Sequence, residues 1–155
     1  MDKSVSVNRE INASAETLWS MVSDVTRMGE WSPETTGCTW AGDSNEPVLN
    51  ARFKGTNARG KRTWSTSCTV IECEPSKSFA FHVSVFGISV ADWSYRFEPT
   101  ETGSSVTETF TDRRGWLPLK LGGPISGVAD RGEHNRAGMA ATLDALATVA
   151  ETAAT

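Results

Sequence analysis

The sequence has few of the features that mark a metal site, a disulfide framework or a membrane span. Its three cysteines, Cys38, Cys68 and Cys73, are odd in number and form no Cys-x-x-Cys pair, and it has only two histidines, far apart. No zinc-ligand spacing results, so we expect no metal, no disulfides and a reducing, cytoplasmic location. No apolar run is long enough to span a bilayer and no signal-peptide core is present, so we expect no integral membrane insertion.

Basic residues and catalytic motifs are also scarce. The chain has 15 Lys and Arg against 19 Asp and Glu, and a net charge of −4. Its basic clusters, at residues 58–62 and 112–114, are short and are interpreted as solvated turn and strand ends. Phosphate binding needs a concentrated basic surface, so no nucleic-acid partner is predicted. The sequence has no Gly-rich phosphate loop, no Gly-x-Ser-x-Gly elbow and no His-Glu-x-x-His motif, and no cofactor is predicted.

The patterns that are present predict one α+β domain spanning residues 1–155. Alternation of apolar and polar residues at 4–11 predicts a strand. The apolar residues that follow have the spacing of a helix, and Ser14 is its expected N-cap. A second short helix is expected to end before Pro33. Six strand-like runs then fill residues 35–113. They are separated by short turns, one of them at residues 57–61, which is typical of an antiparallel meander. A long helix from about residue 126 to 150 or beyond is expected to cover one face of this curved sheet.

One acidic residue interrupts the apolar side of a predicted strand. Val106, Glu108 and Phe110 share one face of the last strand, just as Trp93 and Tyr95 share a face of the strand before it. An inward carboxylate is costly unless it is paired or hydrated. Two interpretations stay open: Glu108 is tied to a core arginine or a backbone amide, or it contacts a ligand in a cavity.

The last helix has a face that changes character along its length. On a wheel centred on Leu143, the inward face carries Gly132, Arg136 and Met139 in its first half and mainly Leu and Ala in its second. His134 falls on the opposite side, towards solvent, as His82 does on its strand. We therefore expect the first half to overhang a partly hydrated pocket. If catalysis occurs, Glu108 and Arg136 are the candidate catalytic residues, as an acid or base and an oxyanion partner.

Six tryptophans in 155 residues suggest a large apolar wall, which suits a flat or hydrophobic ligand. The residues predicted to bind such a ligand are Trp31, Phe53, Trp64, Phe81, Trp93, Tyr95, Phe110, Trp116 and Met139. Residues 115–124 contain several apolar side chains. This loop is interpreted either as a lid over the pocket or as a capping loop buried on the helix.

Three phrases in order resemble the START-like (SRPBCC) superfamily, and within it the polyketide cyclase/dehydrase-like branch. They are INASAETLWSMVSDVTRMGEWSPE after the first strand, ADWSYRFEPTETGSSVTETF across two late strands, and EHNRAGMAATLDAL in the last helix. The resemblance implies a helix-grip fold. In that fold a seven-stranded curved antiparallel sheet wraps around a long C-terminal helix, with two short helices after the first strand. It also implies a deep cavity for a hydrophobic small molecule.

Three functions remain open, because this fold serves many. The first is binding, and with it transport or sensing, of a hydrophobic or aromatic small molecule such as a lipid or polyketide. The second is a polyketide cyclase or dehydratase, in which Glu108 moves protons and Arg136 stabilises an enolate. The third is an interaction module, either a homodimer or the toxin of a toxin–antitoxin pair.

Overall fold

The fold consists of one antiparallel sheet and a long helix that lies across it. The computed structural model describes residues 3–114 and 131–153. The elements in chain order are β1 Lys3–Ile11, α1 Ala15–Ser23, a 3-10 helix Val25–Glu30, β2 Thr35–Trp40, β3 Arg52–Arg59, β4 Arg62–Glu74, β5 Ser78–Val85, β6 Ile88–Pro99, β7 Ser104–Asp112 and α2 Arg131–Ala153.

The sheet has the order β1-β7-β6-β5-β4-β3-β2, with every neighbouring pair antiparallel. The two short helices connect its two edge strands. These findings confirm the predicted fold class, including the six-strand meander. One boundary differs: β3 continues through Arg59, so the turn before β4 shrinks to residues 60–61, where the sequence predicted a break from residue 57. The predicted start of the last helix, residues 126–130, lies outside the described residues.

Local sequence explains why the chain turns from β1 into α1. Ser14 caps α1, because its side-chain oxygen accepts a hydrogen bond of 3.0 Å from the backbone N–H of Thr17. Glu16 follows in the first turn, where a negative charge favours the helix dipole. Leu18 and Val22 then lie one turn apart and are both buried. The predicted cap is therefore confirmed, and the helix packs its apolar side into the core.

Alternation along the strands separates a buried face from a more polar one. In β5 and β6 the alternate residues Phe79, Phe81, Tyr95 and Phe97 are all buried. The pairing of β4 with β5 shifts by one residue after Val70, and extra residues of this kind bend a strand. The buried face of the sheet is thereby concave enough to hold a helix.

Helix α2 runs along β1 on this concave face. Arg9 of β1 forms an ion pair of 3.0 Å with Asp144, and the backbone N–H of Asn12 donates to Glu151 at 2.9 Å. Leu143 and Leu146 are fully buried, so the second half of the helix seals the core as predicted. No helix within the described ranges is long and apolar enough to cross a membrane.

The first half of α2 is rotated relative to the predicted wheel. Arg136, expected on the inner face, is exposed to solvent, whereas its neighbour Asn135 is 4 % exposed. The buried stripe passes through Asn135, Met139, Thr142 and Leu146, at the alternating spacing of four, three and four residues expected for a helix on a surface. The expectation that Arg136 lies on the inner face of α2 was therefore wrong. The side chain of His134 lies outside the described residues.

Candidate functional site: a cavity between the sheet and α2

A cavity of about 210 Å³ lies between the concave face of the sheet and the first half of α2. Its walls are mainly apolar and aromatic, with Phe53 from β3 and Phe81 from β5 on one side and Met139 of α2 on another. The lining reaches Phe86 in the turn between β5 and β6, whose side chain is 92 % exposed. The lining therefore extends to an exposed residue at this turn.

Most of the predicted ligand-binding residues lie together on this lining. They are Phe53, Trp64, Phe81, Trp93, Tyr95, Phe110 and Met139. Trp31 does not line the cavity. It is buried in the core, with the Arg27 guanidinium 5.0 Å from the centre of its ring. Trp116 and the 115–124 loop lie outside the described residues. That any of these residues contacts a ligand stays a prediction.

Glu108 and Tyr95 form a buried pair on the cavity wall. The two residues are direct neighbours in the pairing of β6 with β7, and Glu108 is only 2 % exposed. The Tyr95 hydroxyl donates a hydrogen bond of 2.9 Å to Oε2 of Glu108. Oε1 is buried and has no hydrogen-bond partner among the described residues. Neither a core arginine nor a backbone amide of these residues binds the carboxyl, which disfavours the first of the two interpretations of Glu108.

The surroundings of this pair keep it uncharged near neutral pH. Burial raises the pKa of Glu108 to about 8, and the hydrogen bond from Tyr95 offsets part of that rise. Burial also raises the pKa of Tyr95 well above its usual 10, and the adjacent Glu108 adds to the effect. Below about pH 8 the carboxyl therefore carries a proton. Because Oε2 accepts from Tyr95, Oε1 is the oxygen left to carry it.

Helix α2 contributes polar groups that sequence reasoning missed. Asn135, Gly138 and Thr142 line the cavity together with Met139. The hydroxyl of Thr142 donates to the backbone oxygen of Gly138 at 2.9 Å, so it is satisfied within the helix. Nδ2 of Asn135 is buried and has no partner within the described residues. The four-three-four spacing of the buried stripe was the signal that could have found Asn135.

An arginine just beyond the end of β7 has a buried side chain, where the sequence suggested a solvated cluster. The side chain of Arg114 is 8 % exposed and lines the cavity. Its Nε and Nη2 atoms donate to the two carboxylate oxygens of Asp112, at 3.0 and 2.8 Å. This fork-to-fork geometry balances the charge of the guanidinium. The solvated interpretation was wrong for Arg114, although Arg113 beside it is exposed.

The cysteines on the lining are unreactive groups. All three cysteines of the chain are free. Cys38 and Cys68 line the cavity, and burial raises their pKa values to about 11 and about 12. Both thiols therefore stay protonated and are poor nucleophiles. Within residues 3–114 and 131–153, no group of three or more His, Cys, Asp or Glu side chains could hold a metal ion.

A second polar cluster lies on the opposite face of the sheet. His82 faces outward as predicted, with Nδ1 2.6 Å from Asp92 and Nε2 3.1 Å from the hydroxyl of Ser89. Arg113 donates to the other oxygen of Asp92 at 2.8 Å. None of these four residues lines the cavity. The cluster connects β5, β6 and the end of β7, and its contacts are those of a structural ion-pair network.

Known structures resemble this chain over nearly its whole length. A Polyketide_cyc-like protein from Corynebacterium glutamicum is 30 % identical, with a TM-score of 0.63, over 97 % of this chain and 93 % of that one. The two-domain ARO/CYC protein StfQ of the steffimycin biosynthetic pathway is 14 % identical, with a TM-score of 0.76, over 99 % of this chain and 52 % of its own.

A norcoclaurine synthase from Thalictrum flavum, solved with a transition-state analogue, is also 14 % identical, with a TM-score of 0.69, over 100 % and 98 % of the two chains. At this identity, as for StfQ, the likeness shows the fold alone. No curated protein matches the chain. The model of one family, described as polyketide cyclase/dehydrase and lipid transport, matches residues 2–151. The chain therefore belongs to the polyketide cyclase/dehydrase and lipid transport family.

Proposed function

We propose that this protein binds a hydrophobic or aromatic small molecule in the cavity between the sheet and α2, for transport or sensing. The observation that supports this most is the combination of aromatic walls with a buried carboxyl, whose pKa burial raises to about 8. Phe81, Trp93 and Phe110 present flat apolar surface, which suits an aromatic or alicyclic ligand. The guanidinium of Arg114 is already paired with Asp112, so the site favours a neutral ligand. The family description, which joins cyclases with lipid transport, agrees with such a ligand.

Native mass spectrometry of the purified protein tests this proposal directly. We expect a co-purified small molecule, or the uptake of members of a lipid and aromatic panel. Ala91 is 1 % exposed on the lining, and Ala91→Leu should fill part of the cavity and weaken uptake. Ala58→Leu, on β3 and away from the lining, is the matched control and should leave uptake unchanged. A protein that is repeatedly empty and binds no member of the panel would refute the proposal.

A cyclase or dehydratase is the second candidate, and the Glu108–Tyr95 pair favours it. A carboxyl with a pKa of about 8 can both accept and return a proton at physiological pH. In a dehydration, the carboxylate removes a proton from the carbon beside a ketone. The acid so formed then gives that proton to the leaving hydroxyl, which departs as water. Asn135, rather than the exposed Arg136, is the group on the lining that could donate to the enolate oxygen.

If the protein is a cyclase or dehydratase, turnover should require Glu108 although binding does not. With an aromatic β-hydroxyketone as the substrate, Glu108→Gln should abolish the release of water while its binding persists, because the amide keeps the shape of the side chain but cannot exchange a proton. Wild-type activity should also rise with pH up to about pH 8, as the carboxylate forms. Turnover retained in Glu108→Gln would remove this residue from the mechanism, whereas the absence of turnover in the wild type would leave binding as the function.

A further inference from the structure

Buried polar atoms without a hydrogen-bond partner are concentrated at the cavity. Within the described residues there are four such side-chain atoms: Nδ2 of Asn57, Oγ of Ser78, Oε1 of Glu108 and Nδ2 of Asn135. All but Ser78 belong to residues that line the cavity. Buried polar groups are nearly always hydrogen-bonded in folded proteins. Three exceptions on one lining therefore indicate a partner that enters the cavity.

All three atoms are hydrogen-bond donors when the Glu108 carboxyl is protonated. An amide nitrogen can only donate hydrogen bonds. The side-chain oxygen of Asn57 accepts from the Thr35 hydroxyl at 3.1 Å, which leaves its nitrogen as the unpaired end. Oε1 of Glu108 is the oxygen that carries the carboxyl proton, because Tyr95 donates to Oε2. The cavity therefore presents three donors, and the matching groups on a ligand are acceptors.

These donors also stand at separated points. Asn57 lies on β3 and Glu108 on β7, with three strands between them in the sheet order. Neighbouring strands are about 4.8 Å apart, so the two residues are separated by several strand widths on the concave face. Asn135 lies on the helix, on the opposite wall. A ligand with a single polar end cannot reach all of these positions.

We propose that the ligand of this cavity is a mainly apolar ring compound with at least two separated acceptor oxygens, such as ketone, quinone or ether oxygens. Glu108 and Asn135 donate hydrogen bonds to these oxygens, and Asn57 is a third donor at the far wall. This inference rests on the proposed binding function and names its ligand class. A plain hydrocarbon has no acceptors for the donors. A fatty acid has one polar end, and its carboxylate would find the nearby Arg114 already paired with Asp112.

Three probes of graded chemistry test the inference. Anthraquinone and anthracene share one three-ring framework and differ by two carbonyl oxygens, and dodecanoate represents a lipid with one polar end. Affinities are measured at pH 7 by native mass spectrometry and by quenching of tryptophan fluorescence. We expect anthraquinone to bind at least about tenfold more tightly than either other probe, since a hydrogen bond to a buried donor is worth roughly that factor.

Variants of Asn135 test whether its side-chain nitrogen causes the preference for anthraquinone over anthracene. Asn135→Leu should reduce the preference of anthraquinone over anthracene by about tenfold, because it removes one donor and adds apolar surface. Asn135→Asp, which replaces the donor with an acceptor, should reduce it further. Ser78→Ala is the matched control, since the Ser78 hydroxyl is buried and unpartnered but lies off the lining, and it should change neither affinity. Circular dichroism confirms that each variant is folded.

The outcomes separate this inference from the function on which it rests. Equal affinity for anthraquinone and anthracene, tighter binding of dodecanoate, or a preference that survives in both Asn135 variants would overturn the inference while the binding function stands. If none of the three probes binds and the wider lipid and aromatic panel also fails, both are overturned. Anthraquinone preference that depends on Asn135 supports both.

Discussion

Two carboxyl groups on neighbouring strands have the same cross-strand geometry and opposite surroundings. Glu108 on β7 bonds to Tyr95 directly across on β6, at 2.9 Å, and Asp92 on β6 bonds to His82 directly across on β5, at 2.6 Å. The second oxygen of Asp92 is bound by Arg113 on the outer face, whereas that of Glu108 has no partner among the described residues. The same pairing thus gives a structural ion-pair network outside and a neutral, protonated group inside.

The largest expected difference between the two carboxyls is in the pH dependence of stability. The pKa of Glu108 is raised from 4.5 to about 8 in the folded state, so between these pH values the folded protein holds one more proton than the unfolded chain. The contribution of Glu108 to the free energy of unfolding is therefore fully present below about pH 4.5. It should fall by about 1.4 kcal/mol per pH unit up to about pH 8.

Glu108→Gln should remove this slope, because the amide does not titrate and can still accept from Tyr95. Denaturant unfolding of both proteins at several pH values between 5 and 9 measures the effect. The variant should gain stability relative to the wild type as the pH rises, and the gap should stop growing above about pH 8. Parallel curves for the two proteins would mean that the Glu108 carboxyl ionises normally.

Tyr95→Phe should have the next largest effect, because it removes the one hydrogen bond that Glu108 accepts from the described residues. Leaving a buried acceptor unpaired costs about 1–3 kcal/mol, so the free energy of unfolding should fall by that amount. The pKa of Glu108 should rise further, since the Tyr95 bond is what lowers it. Urea unfolding at pH 6 measures the first effect and a carboxyl titration the second. Unchanged stability would contradict the buried pair.

On the outer face, Asp92→Asn should lower the free energy of unfolding by less than Tyr95→Phe does. It removes the ion pair with Arg113, and partly exposed pairs contribute about 0.2–1 kcal/mol. The loss should shrink in molar salt, which screens the pair in the wild type. Unfolding at low and high ionic strength measures this difference. A loss as large as that in Tyr95→Phe would mean that the two faces are not energetically distinct. Binding of small molecules in the cavity should be unaffected.

The smallest effect is expected at Arg136. Its side chain is exposed and does not line the cavity, so Arg136→Ala should change the free energy of unfolding by no more than about 0.5 kcal/mol. It should also leave ligand affinity unchanged, in contrast to Asn135→Leu one residue earlier. Thermal unfolding and the anthraquinone binding assay test both points. A clear loss of binding in Arg136→Ala would show that Arg136 contributes to the binding site after all.

Strand periodicity was sufficient to identify the inner face and the unusual carboxyl. In β6 and β7 the side chains alternate strictly, so a single polar residue between Val106 and Phe110 had to point inward. The same rule placed His82 outward. The order of β3 to β7 followed from the short turns between these strands, because a short turn favours the pairing of consecutive strands.

The helix and the strand ends were harder to predict, for physical reasons. On a helix, neighbouring residues are 100° apart, so a modest error in the direction of the sheet exchanges Asn135 for Arg136. The sheet decides which side is buried, and its direction is not encoded in the helix itself. Arg114 lies two residues beyond the end of β7, where alternation no longer applies. Asn57 was assigned to a turn, whereas the structure includes it in β3.

The protonation state of Glu108 is the most direct test of the central claim, that a neutral carboxyl lies in an apolar cavity. Infrared or carboxyl-carbon NMR titration, taken as the difference between wild type and Glu108→Gln, isolates this one group. We expect the signal of a protonated carboxyl at pH 7 and a transition near pH 8. A group already ionised at pH 7, with its transition near the ordinary value of 4.5, would contradict the claim.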